Sequence, residues 1–145
     1  MKVHDIMTPN PACCTPDDTA ERAARLMKSL DVGAIPIVDN EQDRRPVGIV
    51  TDRDLCCGVV ASGADPRSAR LADYMSPEVV CCRPEDDVRE VSELMQTRQI
   101  RRVAVVDEQG ACCGIVAMAD LAVKAPHEGQ AGEAIQEVSQ PPKAA

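Results

Sequence analysis

The chain has 145 residues, of which 44% are hydrophobic and 28% charged, and its formal net charge is −8. This composition indicates a folded, soluble protein, and the acidic balance excludes nucleic acid and anionic membranes as main partners, because both bind basic surfaces. No Trp or Phe and a single Tyr are present, which excludes an aromatic platform for stacking nucleobases. No apolar run approaches the roughly 20 residues of a membrane span or forms a signal peptide, so we expect no membrane association and a cytoplasmic location.

The eight cysteines stand in adjacent pairs, at 13–14, 56–57, 81–82 and 112–113. Without an export signal we expect reduced thiols, most of them packing as small buried hydrophobic side chains. Neighbouring residues of a strand point to opposite faces, so an adjacent pair is poorly placed to share a metal ion. We therefore predict no metal site, and thiol or metal sensing by these pairs stays an alternative.

In chain order, the first predicted element is a short strand at 12–14. A helix follows, opened by Asp18 and Glu21 as a capping box, with apolar residues at 20, 23, 24, 27 and 30. Strands at 34–39 and 47–51 form a hairpin, and Arg44 and Arg45 are expected to be solvated at its tip. A helix over 52–62 ends this part of the chain.

The same order then returns. A connector at 63–72 leads to a strand at 79–82 and to a helix opened by Asp87 and Glu90, with apolar residues at 88, 91 and 95. Strands at 103–107 and 113–117 and a helix over 118–124 follow. We predict domains at 1–62 and 73–125, and a C-terminal tail at 126–145 with a short helix around 132–138.

The sequence itself repeats along with the elements. Residues 5–27 align with 73–95, residues 32–39 with 100–107, and "GIVTDRDL" at 48–55 with "GIVAMADL" at 114–121. One copy of about 50 residues buries little core. We therefore predict an α/β (α+β) fold of two β-α-β-β-α repeats packed sheet to sheet with pseudo-two-fold symmetry, and a ligand cleft between them.

These features resemble a tandem pair of CBS domains, or Bateman module, over about residues 5–123. The resemblance is carried by "DIMT" and "DYMS", by "VGAIPIVD" and "IRRVAVVD", and by a glycine-hydrophobic-x-T-x-x-D motif at 48–54 that is degenerate at 114–120. It implies a regulatory module that binds AMP, ADP or ATP between the domains, with NAD or S-adenosylmethionine as less favoured ligands. It also implies a homodimer and a regulated protein partner that the sequence does not identify.

Carried over by position, the resemblance makes Asp54 and Asp120 ligands of the ribose hydroxyls and Thr51 a phosphate contact. Further residues would contact the bases: Ala12, Cys13, Ile35, Pro36, Val80, Cys81, Val103 and Ala104. The residues themselves add Arg53, because a helix N-terminus with a guanidinium suits phosphate. They leave open that Thr51 and Asp54 only form a capping box.

The two copies are expected to bind unequally, because Ala117 and Ala119 replace Thr51 and Arg53. Arg101 and Arg102 could supply guanidinium groups in compensation, or could be solvated or lie at a dimer interface. No catalytic set is predicted, so we expect no enzyme and no required cofactor. The alternatives are a ligand-free dimerisation scaffold and the thiol or metal sensor.

Overall fold

The computed structural model of the protein describes residues 1–125, and the helix expected around 132–138 lies outside them. The fold is mixed α/β, as predicted. The helices are α1 (Val3–Ile6), α2 (Ala20–Leu30), α3 (Asp52–Asp54), α4 (Val88–Arg98) and α5 (Met118–Lys124), with a π-helix at Leu55–Val60 and a 3₁₀ helix at Leu71–Asp73. The strands are β1 (Thr8–Pro9), β2 (Ala34–Val38), β3 (Pro46–Thr51), β4 (Cys81–Cys82), β5 (Arg102–Val106) and β6 (Cys112–Ala117). Within these residues, no helix combines the length and apolarity that a membrane span requires.

The described chain divides into two compact units. The first-repeat unit contains Asn10–Val79 and Glu108–Cys112, and the second-repeat unit contains Met1–Pro9, Val80–Asp107 and 113–125. Met1–Pro9 lead into the first copy in the sequence but belong to the second-repeat unit. The residues that end at Val79 lead into the second copy but belong to the first-repeat unit. The chain exchanges these leading segments between its two repeats.

In the first-repeat unit, β2 and β3 form the predicted antiparallel hairpin, with Ala34 opposite Thr51. The exchanged segment adds to the outer edge of β3, where the backbones of Ile49 and Ser76 exchange hydrogen bonds of 3.1 and 2.9 Å. The core lies between this hairpin and α2. It contains Cys14, Ala20, Ala23, Met27, Ile35, Ile37, Val50, Leu55, Val59 and Leu71.

The second-repeat unit carries a sheet of order β1-β6-β5-β4. Strand β1 from the exchanged N-terminal segment runs antiparallel to β6, and β4 runs parallel to β5. Its core contains Val3, Ile6, Cys82, Val88, Val91, Met95, Val103, Val105, Val116, Met118, Leu121 and Ala125. Two residues of the N-terminal segment, Val3 and Ile6, are thus part of the core of the second repeat.

The strand predicted at 12–14 is wrong in extent, because the structure has only a parallel bridge between Cys14 and Ile37 there. In the second copy, the equivalent pairing is that of β4 with β5. It is longer by one hydrogen bond, which the N–H of Ala104 donates to the carbonyl of Val80 at 3.1 Å. Pro36 stands in the place of Ala104 and has no N–H to donate. The missing donor therefore accounts for the shorter pairing.

The predicted cap of α2 is also wrong. The N-cap is Thr19, whose Oγ1 accepts from the N–H of Arg22 at 3.2 Å, while Asp18 accepts from the N–H of Thr15 at 2.8 Å. Asp87 is the N-cap of α4, as predicted, and its side chain accepts from the N–H of Arg89 at 2.9 Å. The capping box predicted with Glu90 is not formed, because the N–H of Glu90 donates to the backbone carbonyl of Asp87 at 3.0 Å. Thr19 precedes the helix directly and so takes the position that capping requires.

Each of the two copies has a glycine at the point where the exchanged segment of its unit crosses the strand. A Cβ at Gly48 would lie 2.7 Å from the carbonyl oxygen of Ser76, and one at Gly114 would lie 2.6 Å from Sδ of Met7. Both distances are shorter than a carbon atom allows. The glycine in each "GIV" therefore makes room for the segment that crosses it.

The predicted helix at 52–62 begins as α3 and continues as a π-helix, whereas that at 118–124 is α5 as predicted. Two apolar positions of α2 differ from expectation, because Ala24 and Leu30 are exposed while Ala20, Ala23 and Met27 are buried. The face of α2 that packs on its sheet is thus narrower than the sequence pattern predicts.

Candidate functional site

The first-repeat unit places Thr51 and Asp54 at the junction of β3 and α3. Oγ1 of Thr51 accepts from the N–H of Asp54 at 3.1 Å, and Oδ2 of Asp54 accepts from the N–H of Thr51 at 2.9 Å. Both bonds of a capping box are present. The sequence left open that Thr51 and Asp54 form a capping box, and the structure confirms that they do.

The capping box uses one oxygen of Asp54 and leaves the other without a protein partner. Among residues 1–125, Oδ2 accepts the single hydrogen bond of this carboxylate, and Oδ1 accepts none. The side chain is half-buried, and Arg53 beside it is exposed. A half-buried carboxylate oxygen whose lone pairs accept no protein hydrogen bond can accept hydrogen bonds from a ligand hydroxyl.

The predicted base-contacting residues of the first copy lie in the same unit. Ile35 and Pro36 are buried in β2, while Ala12 and Cys13 are half-buried on the neighbouring segment. The N–H of Cys14 donates to the carbonyl of Pro36 at 3.1 Å and holds that segment beside β2. The first-repeat unit thus holds seven predicted site residues: Ala12, Cys13, Ile35, Pro36, Thr51, Arg53 and Asp54.

The corresponding junction in the second-repeat unit differs in its hydrogen bonds. Oδ2 of Asp120 accepts from the N–H of Ala117 at 2.8 Å, and its Oδ1 lies 3.3 Å from Nζ of Lys124. Lys124 also donates to the carbonyl of Ile6 at 2.9 Å. Both carboxylate oxygens of Asp120 therefore have protein partners, unlike those of Asp54.

The other predicted residues of the second copy surround β4 and β5. Val103 and Ala104 are buried in β5, Val80 is half-buried, and Cys81 is exposed. The carbonyl of Arg101 accepts from the N–H of Met118 at 2.8 Å, which fixes the start of β5 against the start of α5. Two guanidinium groups flank this region, on the exposed Arg101 and the half-buried Arg102.

Sequence reasoning missed Lys124, although its spacing was a signal. It stands four residues after Asp120, the separation at which opposite charges meet on a helix. By the alignment of the copies, Gly58 takes the same place in the first repeat. The difference between the two junctions is therefore present in the sequence as a Lys in one copy and a Gly in the other.

Arg44 was predicted to be solvated, and this is wrong. Its Nη2 donates to the carbonyls of Pro11 and Cys112 at 3.3 and 3.4 Å and lies 3.4 Å from Sγ of Cys13. Arg44 has a positive φ of 53°, which turns the loop back toward these groups. Arg45 is exposed, as predicted.

All eight cysteines are free thiols, but fewer are buried than expected. Cys14, Cys82 and Cys112 are buried; Cys13 and Cys113 are half-buried; Cys56, Cys57 and Cys81 are exposed. Burial raises the pKa of Cys14 to about 11 and that of Cys82 to about 12. Over residues 1–125, no three His, Cys, Asp or Glu side chains cluster so as to hold a metal ion.

Comparison with known proteins supports the family resemblance. The model of the CBS domain family matches twice, at residues 3–59 and 71–125. The CBS domain-containing protein YhcV of Bacillus subtilis is 39% identical over 137 residues, which cover 94% of this chain and 94% of YhcV. Hypoxic response protein 1 of Mycobacterium tuberculosis is 33% identical over 118 residues, covering 81% of this chain and 80% of that protein.

Solved structures show the same fold. A crystal structure of hypoxic response protein I with two coordinated zinc ions matches with a TM-score of 0.73 and 32% identity, over 84% of this chain and 97% of that one. The structure of CBSX2 in complex with AMP matches with a TM-score of 0.71 over 87% of this chain and 96% of that one. At 24% identity, the second match shows a shared fold.

Proposed function

Because the chain belongs to the CBS domain family and is a tandem CBS pair, a regulatory module, we propose that it senses an adenine nucleotide of the AMP, ADP or ATP type and performs no catalysis. The observation that carries this proposal is the open Oδ1 of Asp54 in a half-buried position beside Thr51 and Arg53. The ligand occupies the first-repeat unit through its ribose, its phosphate and its base.

The ribose is bound by Asp54. A vicinal diol presents two hydroxyl donors, and a carboxylate accepts them as charge-assisted hydrogen bonds that are stronger than neutral ones. Oδ1 can accept one hydroxyl directly. Oδ2 can accept the other, because it keeps a lone pair in addition to the one that accepts from the N–H of Thr51. The capping box does not compete with this role, since it holds the carboxylate in one orientation before the ligand arrives.

The phosphate is bound by Thr51 and Arg53. Oγ1 of Thr51 already accepts from the N–H of Asp54, so its hydroxyl proton remains for a phosphate oxygen. The exposed Arg53 is one residue from Asp54 and adds a guanidinium that can grip phosphate with two N–H groups. The guanidinium of Arg53 provides a local positive charge for an anionic ligand in a chain whose net charge is −8.

The adenine base is held by aliphatic contacts. Ile35 and Pro36 supply buried surface from β2, and Ala12 and Cys13 flank them on the adjoining segment. A base can pack on such walls without aromatic stacking, because burial of apolar surface is itself favourable. NAD and S-adenosylmethionine share the adenosine moiety and stay less favoured candidates, since they lack the terminal phosphate that suits Thr51 and Arg53.

Isothermal titration calorimetry of nucleotide-free protein tests the proposal with AMP, ADP, ATP, NAD and S-adenosylmethionine. We expect saturable binding of one adenine nucleotide and a loss of roughly 10-fold to 100-fold in affinity for Asp54→Ala, the value of a charged hydrogen bond. Asp52→Ala is the matched control, because Asp52 is exposed two residues away. No heat with any ligand, or equal losses for both variants, would overturn the proposal.

We propose further that the protein is a cytoplasmic homodimer that acts on a protein partner. Val60 and Val123 support the dimer, because these side chains near the ends of the last helix of each repeat are 69% and 76% exposed. Sedimentation of the wild type should give twice the chain mass. Val60→Asp together with Val123→Asp should give a monomer of unchanged circular dichroism, and a monomeric wild type would refute the dimer.

A further inference from the structure

Arg44, Cys13 and Cys112 form a cluster inside the first-repeat unit. The guanidinium of Arg44 contacts Sγ of Cys13 and the carbonyls of Pro11 and Cys112, at 3.3–3.4 Å. The N–H of Cys112 in turn donates to the carbonyl of Arg44 at 2.7 Å. One loop arginine thus holds two cysteines that are far apart in the sequence.

The two thiols of this cluster contact each other directly. The Cys13 thiol is hydrogen-bonded to that of Cys112, and Sγ of Cys13 also lies 3.4 Å from the carbonyl of Pro11. Cys13 is half-buried, whereas Cys112 is only 3% exposed. A small oxidant therefore reaches Cys13 from solvent, and Cys112 stands next to it as a second thiol.

We propose that Cys13 and Cys112 form a reversible disulfide when the protein meets a peroxide. This pairing differs from the adjacent cysteine pairs visible in the sequence, since it joins Cys13, in the segment before α2, to Cys112 of the same unit. It does not depend on nucleotide binding, but it engages Cys13, which lies beside the apolar wall proposed for the base.

The chemistry balances with hydrogen peroxide as the two-electron oxidant. The thiolate of Cys13 attacks one peroxide oxygen, the O–O bond breaks, and a sulfenic acid forms while hydroxide leaves and is protonated to water. The sulfur of Cys112 then attacks the Cys13 sulfur and the S–O bond breaks. Its proton and the leaving hydroxide give a second water, and a thiol such as glutathione reverses the reaction by disulfide exchange.

The surroundings of Cys13 determine how this reaction depends on pH. The hydrogen bond to Cys112 and burial raise the pKa of Cys13 well above its usual value, and the charge of Arg44 reverses only part of this rise. Below the pKa the thiolate fraction grows about tenfold for each pH unit, and the thiolate is the nucleophile. Crosslinking should accordingly accelerate by about tenfold between pH 7 and pH 8.

Non-reducing peptide mapping of dilute protein after peroxide treatment is the test. Trypsin places Cys13 in the peptide 3–22 and Cys112 in the peptide 103–124, so we expect these two peptides joined within a monomer and separated by dithiothreitol. The oxidised protein should melt roughly 5–10 °C higher, because the bond closes a long loop. Absence of the joined peptides, or their appearance only in a crosslinked dimer, would overturn the proposal.

Alanine variants identify which cysteines of the two peptides react. Cys13→Ala and Cys112→Ala should each abolish the crosslink, whereas Cys14→Ala and Cys113→Ala, their sequence neighbours, should keep it. Arg44→Met should slow the reaction by about tenfold through the loss of its charge, and Arg45→Met should not. A crosslink that persists without Cys13, or that needs Cys14 or Cys113, would show that the assignment is wrong. Circular dichroism confirms folding of each variant.

Discussion

Nζ of Lys124 lies 3.3 Å from Oδ1 of Asp120, whereas the first repeat has Gly58 at the corresponding position and leaves Oδ1 of Asp54 without a partner among residues 1–125. A ligand hydroxyl at Asp120 must compete with an ammonium that is also held by the carbonyl of Ile6 at 2.9 Å. The side chain of Asp120 is 19% exposed, so this competition takes place partly out of water.

We therefore predict that the two aspartates contribute unequally to nucleotide binding. Asp54→Ala should weaken the affinity roughly 10-fold to 100-fold, and Asp120→Ala by less than about threefold, as measured by calorimetry. Lys124→Met should add a second binding event, because it frees Oδ1 of Asp120 and keeps most of the aliphatic stem. Equal losses for the two aspartate variants would contradict the prediction, whatever nucleotide binds.

Capping gives a second prediction, on stability. Thr51 and Ala117 have nearly the same extended backbone, with φ of −111° and −103°, but only Thr51 has a hydroxyl for the helix N–H groups. Thr51→Ala should lower the free energy of unfolding by about 1 kcal/mol, and Ala117→Thr should raise it by roughly 0.5–1 kcal/mol. Urea denaturation measures both, and a destabilising Ala117→Thr would show that the second site has no room for the cap.

The crossed glycines give a third prediction. Gly48→Ala would place its Cβ against a backbone oxygen of Ser76, which is fixed by strand pairing, and should cost about 2–3 kcal/mol. Gly114→Ala mainly meets the flexible side chain of Met7 and should cost about 1 kcal/mol. Thermal unfolding compares the two with Gly63→Asn, an open position with φ of +74° where we expect a change below about 0.5 kcal/mol. Equal costs at 48 and 114 would argue against the backbone contact.

A fourth prediction concerns alkaline pH. Burial raises the pKa of Cys14 from about 9 to about 11 and that of Cys82 to about 12. The folded state thus keeps these protons when the unfolded state has lost them, so their contribution to stability is intact below pH 9 and declines as the pH rises toward 11 and 12. The urea midpoint should fall over this range.

Alkylation checks the same two thiols independently. At pH 8, iodoacetamide should modify the exposed Cys56 and Cys57 and spare Cys14 and Cys82, as read by fragmentation mass spectrometry. The double variant Cys14→Ala with Cys82→Ala should show a shallower alkaline decline than the wild type. Rapid labelling of Cys14 in the folded protein at pH 8 would contradict the assigned burial.

The repeat made much of the fold predictable, because it set the element order twice and located both hairpins and both last helices. The failures have local causes. Pro36 removes one donor and shortens the pairing at Cys14, and Thr19 rather than Asp18 precedes α2 directly. Neither effect changes the hydrophobic pattern from which strands and helices are predicted.

The candidate site was predictable in part. The sequence indicated Thr51, Asp54 and Asp120, since a motif of fixed spacing carries them to helix starts. The i,i+4 spacing of Asp120 and Lys124 was a signal that the interpretation of the sequence did not use. No pattern indicated that Arg44 turns inward to Cys13 and Cys112, because these contacts depend on the path of a loop, which local periodicity does not encode.

The exchange of leading segments bears on how such a chain can be inherited. Residues 1–9 belong to the second-repeat unit and add strand β1 to its sheet. The segment around Ser76, which ends at Val79, belongs to the first-repeat unit and pairs with β3 at Ile49. A recombination event that removed either copy together with the segment that leads into it would leave the other with an uncovered strand edge, which favours aggregation. Selection should therefore transmit the two copies together, and a gene that acquires this function by fusion must acquire the whole pair.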